Sequence, residues 1–419
     1  MSSPNPRRRL VLIALLLAVV IGLPLLATGG SPWVEEKRAA SGEQVAAAKE
    51  LAQTARSSRE TGKPVSLTLE NRDLAALSAM ASQGAAPARV DARIEDGVLT
   101  VTGSRPLLWR WLNIRAQTSG TSKGLPEWRV QIGAIPLPGW LSRWGLEQLQ
   151  HRYVGKDSGL PPLDTILRKL TIEQESVAAS VLLPKGSLLV HAAATGTSTL
   201  DEKGISRLYC RLVEAQQAKP AKSLAAQVHR ALTATEATPE GHRTAIIALA
   251  LITATPERMH LVGDDAALKA CAPPANMTPI TLHGRADWAM HWALSAALET
   301  ATGNRLGGLI GEWKELADTK AGVAMLAPED PSGFSFVDLA SDRAGLLTAR
   351  RLTDPRHLAK TRARLLKASE DTLLPAAALD LNDGLTDTQF AAQYGALDDP
   401  RYEAKVREID AMLRRGGID

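Results

Sequence analysis

The sequence predicts an α+β fold: an N-terminal transmembrane helix, an antiparallel α+β domain, then a mainly α-helical domain. Three observations carry this. Arg7, Arg8 and Arg9 precede an apolar run from Leu10 to Ala27. Stretches of alternating apolar and polar residues follow over about 64–190. After about residue 200 the apolar spacing becomes helical. The boundaries read as residues 1–30 for a basic tip and anchor, 31–62 for a helical stalk and 63–195 for the α+β domain. Residues 200–350 read as the helical domain and 351–419 as a helical C-terminal segment.

The run Leu10–Ala27 rises about 27 Å as a helix, against a hydrocarbon core of about 30 Å. Arginines before it keep the N-terminus cytoplasmic and send the remainder outward. It reads as a signal anchor of a bacterial inner-membrane protein, single-pass, with its bulk in the periplasm. A cleaved signal peptide with a small-residue site near Ala27-Thr28-Gly29 is the competing reading. No cysteine follows the run, which excludes a lipoprotein.

Ala39–Arg59 has helical composition with little apolar face. Val65, Leu67 and Leu69 alternate as a strand, and Asn71 is placed to cap a helix carrying Leu74, Leu77 and Met80. Arg89–Ile94 and Val98–Thr102 flank Glu95-Asp96-Gly97, a hairpin signal because Gly97 accepts positive φ. Leu112, Ile114 and Ala116 alternate, as do Trp128, Val130 and Ile132. Helices are expected over Trp140–Tyr153 and Leu163–Leu170, and a strand over Ser176–Leu183. Helical spacing then marks Gly204–Gln217, Ser223–Ala234, Pro239–Ala254 and Ala286–Thr300. Thr238-Pro239, Asp354-Pro355 and Asp399-Pro400 are helix-start signals, and Thr386 with Gln389 forms a capping box. Ala245–Ile252 is too short to span a bilayer and reads as a buried helix.

The 419 residues carry 49 Lys+Arg against 45 Asp+Glu, an excess too small for a nucleic-acid binder. Two cysteines, Cys210 and Cys271, exclude a disulfide scaffold; they either pair in an oxidising compartment or are buried thiols. Trp makes up nine of the sixteen aromatics. Trp109, Trp111, Trp128, Trp140 and Trp144 crowd the α+β domain, and Trp140 and Trp144 share a helix face. They fill its core, or they line a ligand groove or rest on a membrane.

Asp287, His291 and Ser295 stand at four-residue steps on one helix. Glu312, Glu315 and Asp318 form a second polar stripe, and Asp338 and Asp342 follow Ser335 in a third block. One His and several carboxylates from adjacent helices suit a divalent metal ion, held by His291, Glu315, Asp318, Asp338 and Asp342. They suit equally an acid–base centre of His291, Glu315, Asp338 and Ser335, or a structural ion-pair network. Templates such as G-x-S-x-G, H-E-x-x-H and the P-loop are absent from the sequence.

The order H-x-x-x-S-A, G-x-x-K-E-x-x-D and F-S-x-x-D-L-x-x-D-x-x-G resembles the YfiM-like group of small periplasmic proteins. It is more distantly similar to VanZ-like membrane proteins. The likeness covers about 287–346 and rests on His291, Ser295, Lys314, Glu315, Asp318, Ser335, Asp338, Asp342 and Gly345. It marks a site without naming a reaction. The large α+β domain departs from the first group, and the lack of several spans departs from the second.

The expected function is that of a membrane-anchored periplasmic accessory or assembly protein of the cell envelope, binding lipid, glycan or a protein partner and no nucleic acid. The alternative is a metal-assisted hydrolase acting through His291, Glu315 and Asp338.

Overall fold

The computed structural model of the chain describes residues 22–35, 40–121, 123–154, 163–182, 201–253, 268, 270–302 and 333–418. It divides into two units. One holds residues 1–39, 63–148 and 162–182, and the other holds 40–62, 149–161 and 183–419.

The first unit is built on two antiparallel sheets. Strands β1 (Thr28–Gly29), β3 (Arg89–Glu95), β4 (Val98–Leu107), β5 (Arg110–Thr118), β6 (Arg129–Ile132) and β7 (Ile135–Pro136) form the larger, in the order β3-β4-β5-β6-β7. Strand β1 shares the second edge of β5 with β6, pairing at Trp111 and Leu112 while β6 pairs at Ile114 to Gln117. Strand β2 (Val65–Glu70) joins β8 (Leu167–Ile172) and β9 (Ser176–Val181) in the order β2-β9-β8. Asp96 and Gly97 both take positive φ, as a two-residue hairpin between β3 and β4 requires.

The helix after β2 covers the free edge of β3, and its sequence shows how. Asn71, Ser78 and Ser82 of α2 (Asn71–Gly84) lie on one face at helical spacing, while Ile94, Ala92 and Val90 expose their amides at strand spacing. Ile94 N–H donates to Asn71 Oδ1 at 2.8 Å, Ala92 N–H to Ser78 Oγ at 2.8 Å, and Val90 N–H to Ser82 Oγ at 2.8 Å. The edge is thereby closed to further strands. Asn71 is thus a cross-link rather than the expected cap; Glu70 holds the cap position, its N–H donating to Asp73 Oδ2 at 2.9 Å. Leu74, Ile94, Leu99, Leu170 and Val177 form the core, with Trp128 packed against it.

Two further expectations for this unit are corrected. Leu163–Leu170 is helical only over Leu163–Ile166; from Leu167 the chain is strand β8. Leu170 is buried there, exchanging backbone hydrogen bonds with Thr121 besides its pairing with β9, so tertiary pairing overrides the local spacing. The N-terminal transmembrane helix is the second. Among the described residues no helix is long and apolar enough to cross a membrane. Residues 22–27 are helical, then the chain passes into β1, while residues 10–21 lie outside the described residues. The carbonyl of Leu26 accepts Ala134 N–H at 2.7 Å, so the end of the apolar run is built into the sheet unit.

The second unit is helical. It begins with α1 (Gly42–Thr61) and continues, beyond α3 (Gly139–Val154), which starts in the first unit, with α4 (Glu202–Ala218), α5 (Leu224–Thr233), α6 (Pro239–Thr253), α7 (Ala286–Thr302) and α8 (Phe336–Thr353). Helices α9 (Leu358–Leu365), α10 (Asp387–Tyr394) and α11 (Pro400–Arg415) complete it. Every residue of Ala245–Ile252 is buried, which is why this stretch of α6 is apolar all round. Cys210 is disulfide-bonded to Cys271. Thr386 and Asp399 cap α10 and α11 as their sequences predict. Asp354-Pro355 instead makes a turn, with α9 starting at Leu358; the Asp354 carboxylate is bonded by Arg356 and His357. Phe334, Phe336, Phe390 and Tyr402 pack ring against ring, and Arg343 makes a two-pronged pair with Asp410 at 2.6 and 2.7 Å. These contacts tie the C-terminal helices to α8.

Candidate functional site

The polar cluster expected in the helical half lies where α7 and α8 pack. Two local features set the approach of these helices. Ser335 caps α8, its hydroxyl accepting Asp338 N–H at 3.1 Å, which fixes the start of the helix and the place of Asp338. Gly345 lies on the Trp292 backbone carbonyl so closely that a Cβ there would overlap it. The helices meet at this point because Gly345 has no side chain.

Four-residue steps then align the polar groups. His291 and Ser295 descend one face of α7, and Asp338 and Asp342 the facing side of α8. His291 Nδ1 is 3.1 Å from Asp342 Oδ1, and its Nε2 is 3.4 Å from Asp338 Oδ2. The Ser295 hydroxyl donates to Asp342 Oδ1 at 2.6 Å. All four residues are buried, His291 being only 3% exposed. One turn further along the seam Arg350 Nε donates to Glu299 Oε1 at 2.9 Å. At the other end Arg285 pairs with Asp287 and lies over the Trp288 ring. Burial pushes the Asp287 carboxyl up, but the Arg285 guanidinium outweighs it and holds the group below the ordinary carboxylate range.

This order of groups decides what the site can do. A nucleophilic serine needs its hydroxyl against an imidazole nitrogen, with the carboxylate behind the ring. Here Ser295 donates to the carboxylate, and each ring nitrogen of His291 faces an aspartate. A metal ligand needs a ring nitrogen lone pair directed at the ion. Nδ1 is instead hydrogen-bonded to the Asp342 carboxylate and Nε2 lies 3.4 Å from that of Asp338, and among the described residues no group of three or more His, Cys, Asp or Glu is arranged to hold a metal ion. Of the predicted ligand and catalytic sets, the structure brings His291, Asp338 and Asp342 together and puts Ser335 in support. Glu312, Lys314, Glu315 and Asp318 lie outside the described residues.

No family model, curated protein or solved structure matches the chain. Its own geometry carries the functional reading.

The tryptophans divide between the alternatives the sequence left open. Trp128 packs on the core, and Trp111 lies under the Arg89 guanidinium. Trp140 and Trp144 of α3 are 72% and 55% exposed. Sequence reading missed a second buried polar group, Asn113. It is fully buried; its Nδ2 donates to Ser31 O at 3.0 Å, and its Oδ1 accepts from the Ser104 hydroxyl at 2.7 Å and Trp33 N–H at 3.1 Å. It fastens residues 31–33 to the sheet.

Proposed function

We propose that this chain is an accessory protein of the bacterial cell envelope, working in the periplasm by binding, with the His291–Asp338–Asp342 cluster as an internal fastener of its helical unit. The disulfide between Cys210 and Cys271 carries the location, since such bonds persist in oxidising compartments and are rare where thiols are kept reduced. The burial of His291, Ser295, Asp338 and Asp342 supports the fastener: a substrate has to reach reacting atoms, and these are covered by protein. Positive residues ahead of the Leu10–Ala27 run agree with export of residues 31–419.

Thiol alkylation of cells without reductant, followed by fractionation, tests the location. The expected result is a chain in the envelope fraction whose two cysteines resist alkylation until a reductant is added. A soluble cytoplasmic chain with two reactive thiols would overturn it.

A further inference from the structure

The β4–β5 hairpin ends in a tip that folding alone does not account for. Leu107 pairs with Arg110, leaving Leu108 and Trp109 as a two-residue loop. Leu108 takes φ of 54°, the left-handed region that such a loop normally assigns to glycine. A leucine stands there instead, and it is 92% exposed beside a Trp109 that is 82% exposed; Leu107 is exposed as well. The sequence thus puts large apolar side chains into solvent at a site where a small residue suits the backbone better.

The surroundings are apolar and basic. Arg110 donates from Nε to Thr28 Oγ1 at 2.6 Å and from Nη2 to the carbonyls of Thr28 at 2.6 Å and Leu25 at 3.2 Å. These bonds hold the tip next to the end of the Leu10–Ala27 run, where Leu23, Leu25 and Leu26 are also exposed. The hairpin from Val98 to Thr118 contains Arg105, Arg110 and Arg115 and not one Asp or Glu. Arg105 is exposed just below the tip. Apolar side chains and an indole in front of arginines match the layers of an anionic bilayer surface, acyl boundary inside and charged headgroups outside.

We propose that this tip is a lipid-contacting surface, with Leu107, Leu108 and Trp109 entering the headgroup–acyl boundary of an anionic membrane while Arg105 meets the headgroups. The inference rests on the envelope reading for which membrane is met. It names the partner as a lipid surface, which that reading leaves open.

The test uses the full chain, whose two native cysteines are bonded to each other and leave an introduced thiol to be labelled alone. Leu108→Cys carries a polarity-sensitive dye at the tip. Glu95→Cys carries it at the opposite end of β4, next to the β3–β4 turn. Each protein is added to vesicles of phosphatidylcholine with or without phosphatidylglycerol, and then to vesicles with brominated acyl chains. The expected result is a blue shift and bromine quenching at position 108, stronger with phosphatidylglycerol, and neither at position 95. A water-like spectrum at 108 on bound vesicles overturns the proposal. A shift that arises without vesicles and grows with protein concentration also overturns it, assigning the tip to a second copy. Either result leaves the envelope reading standing if the cysteines are oxidised in cells; reduced cysteines would sink that reading whatever the dye reports.

Discussion

His291 Nδ1 lies 3.1 Å from Asp342 Oδ1, joining α7 to α8 across 51 positions of chain. Asp342 is the shared partner of His291 Nδ1 and the Ser295 hydroxyl, and removing one member of a buried pair of this kind costs about 3–5 kcal/mol. Asp342→Ala is expected to lose stability in that range in urea unfolding, and Ser295→Ala about 2 kcal/mol for one hydrogen bond to a charged group. His291→Leu combined with Asp342→Leu takes the acceptor from the buried Ser295 hydroxyl and the facing imidazole from Asp338, so it should not recover the stability that Asp342→Ala loses. A loss below about 1 kcal/mol in Asp342→Ala would mean that the pair does not fasten these helices.

Gly345→Ala sets two effects against each other. Alanine gains about 1 kcal/mol of helix propensity over glycine. Against this, its Cβ meets the Trp292 backbone carbonyl, which cannot swing aside as a flexible side chain would. Overpacking of this kind costs about 1–3 kcal/mol or more, so the net expectation is a destabilised protein. A stabilised Gly345→Ala variant, read from its thermal midpoint, would contradict the close helix approach.

Period and distance determine how much of this is legible in the sequence. His291, Ser295, Asp338 and Asp342 announce themselves because both helices present them at four-residue steps, and α7 and α8 turn those steps into facing rows. Gly345 stands three residues after Asp342 in the D-x-x-G motif, and only the structure shows that it seats the Trp292 carbonyl. Asn113 could not be found this way. Its partners Ser31, Trp33 and Ser104 lie 82, 80 and 9 positions away, and inside a strand an inward Asn carries no local signal. Leu163–Leu170 misleads because its helical spacing is real over one turn, and only the pairing of Leu170 with Thr121 and β9 makes the rest a strand. The Leu10–Ala27 run speaks through length and hydropathy, which do not reveal that Leu26 is hydrogen-bonded into the sheet unit. Leu108 stays invisible for the opposite reason: a leucine does not advertise positive φ.

His242 gives the helical unit a pH dependence. It is fully buried, with Nδ1 2.9 Å from Leu352 O. Burial disfavours its charged form and Arg362 adds to that, so its pKa falls below the ordinary 6.5 despite the Leu352 carbonyl. The unfolded chain therefore binds a proton at this site before the folded one does. Stability is fully present above about pH 6.5 and declines as pH falls from there toward the folded-state value. His242→Gln is expected to flatten that decline in denaturant midpoints measured between about pH 5 and 8. An equal slope in the variant would assign the pH dependence to other groups.

Leu108→Gly separates folding from lipid contact at the hairpin tip. A non-glycine residue held in the left-handed region costs about 1–2 kcal/mol. Glycine returns about 0.5–1 kcal/mol of that through its greater freedom in the unfolded chain. The difference predicts a variant more stable than the parent by about 0.5–1 kcal/mol, since the exposed leucine side chain contributes little packing at this position. The same substitution removes the most exposed apolar side chain of the tip, so retention on phosphatidylglycerol vesicles should fall while the thermal midpoint rises. Opposite movement of the two readouts is the signature of a residue kept for contact rather than for folding. If Leu108→Gly lowers stability, the leucine serves the fold; if stability rises and vesicle retention is unchanged, the tip does not carry the lipid contact.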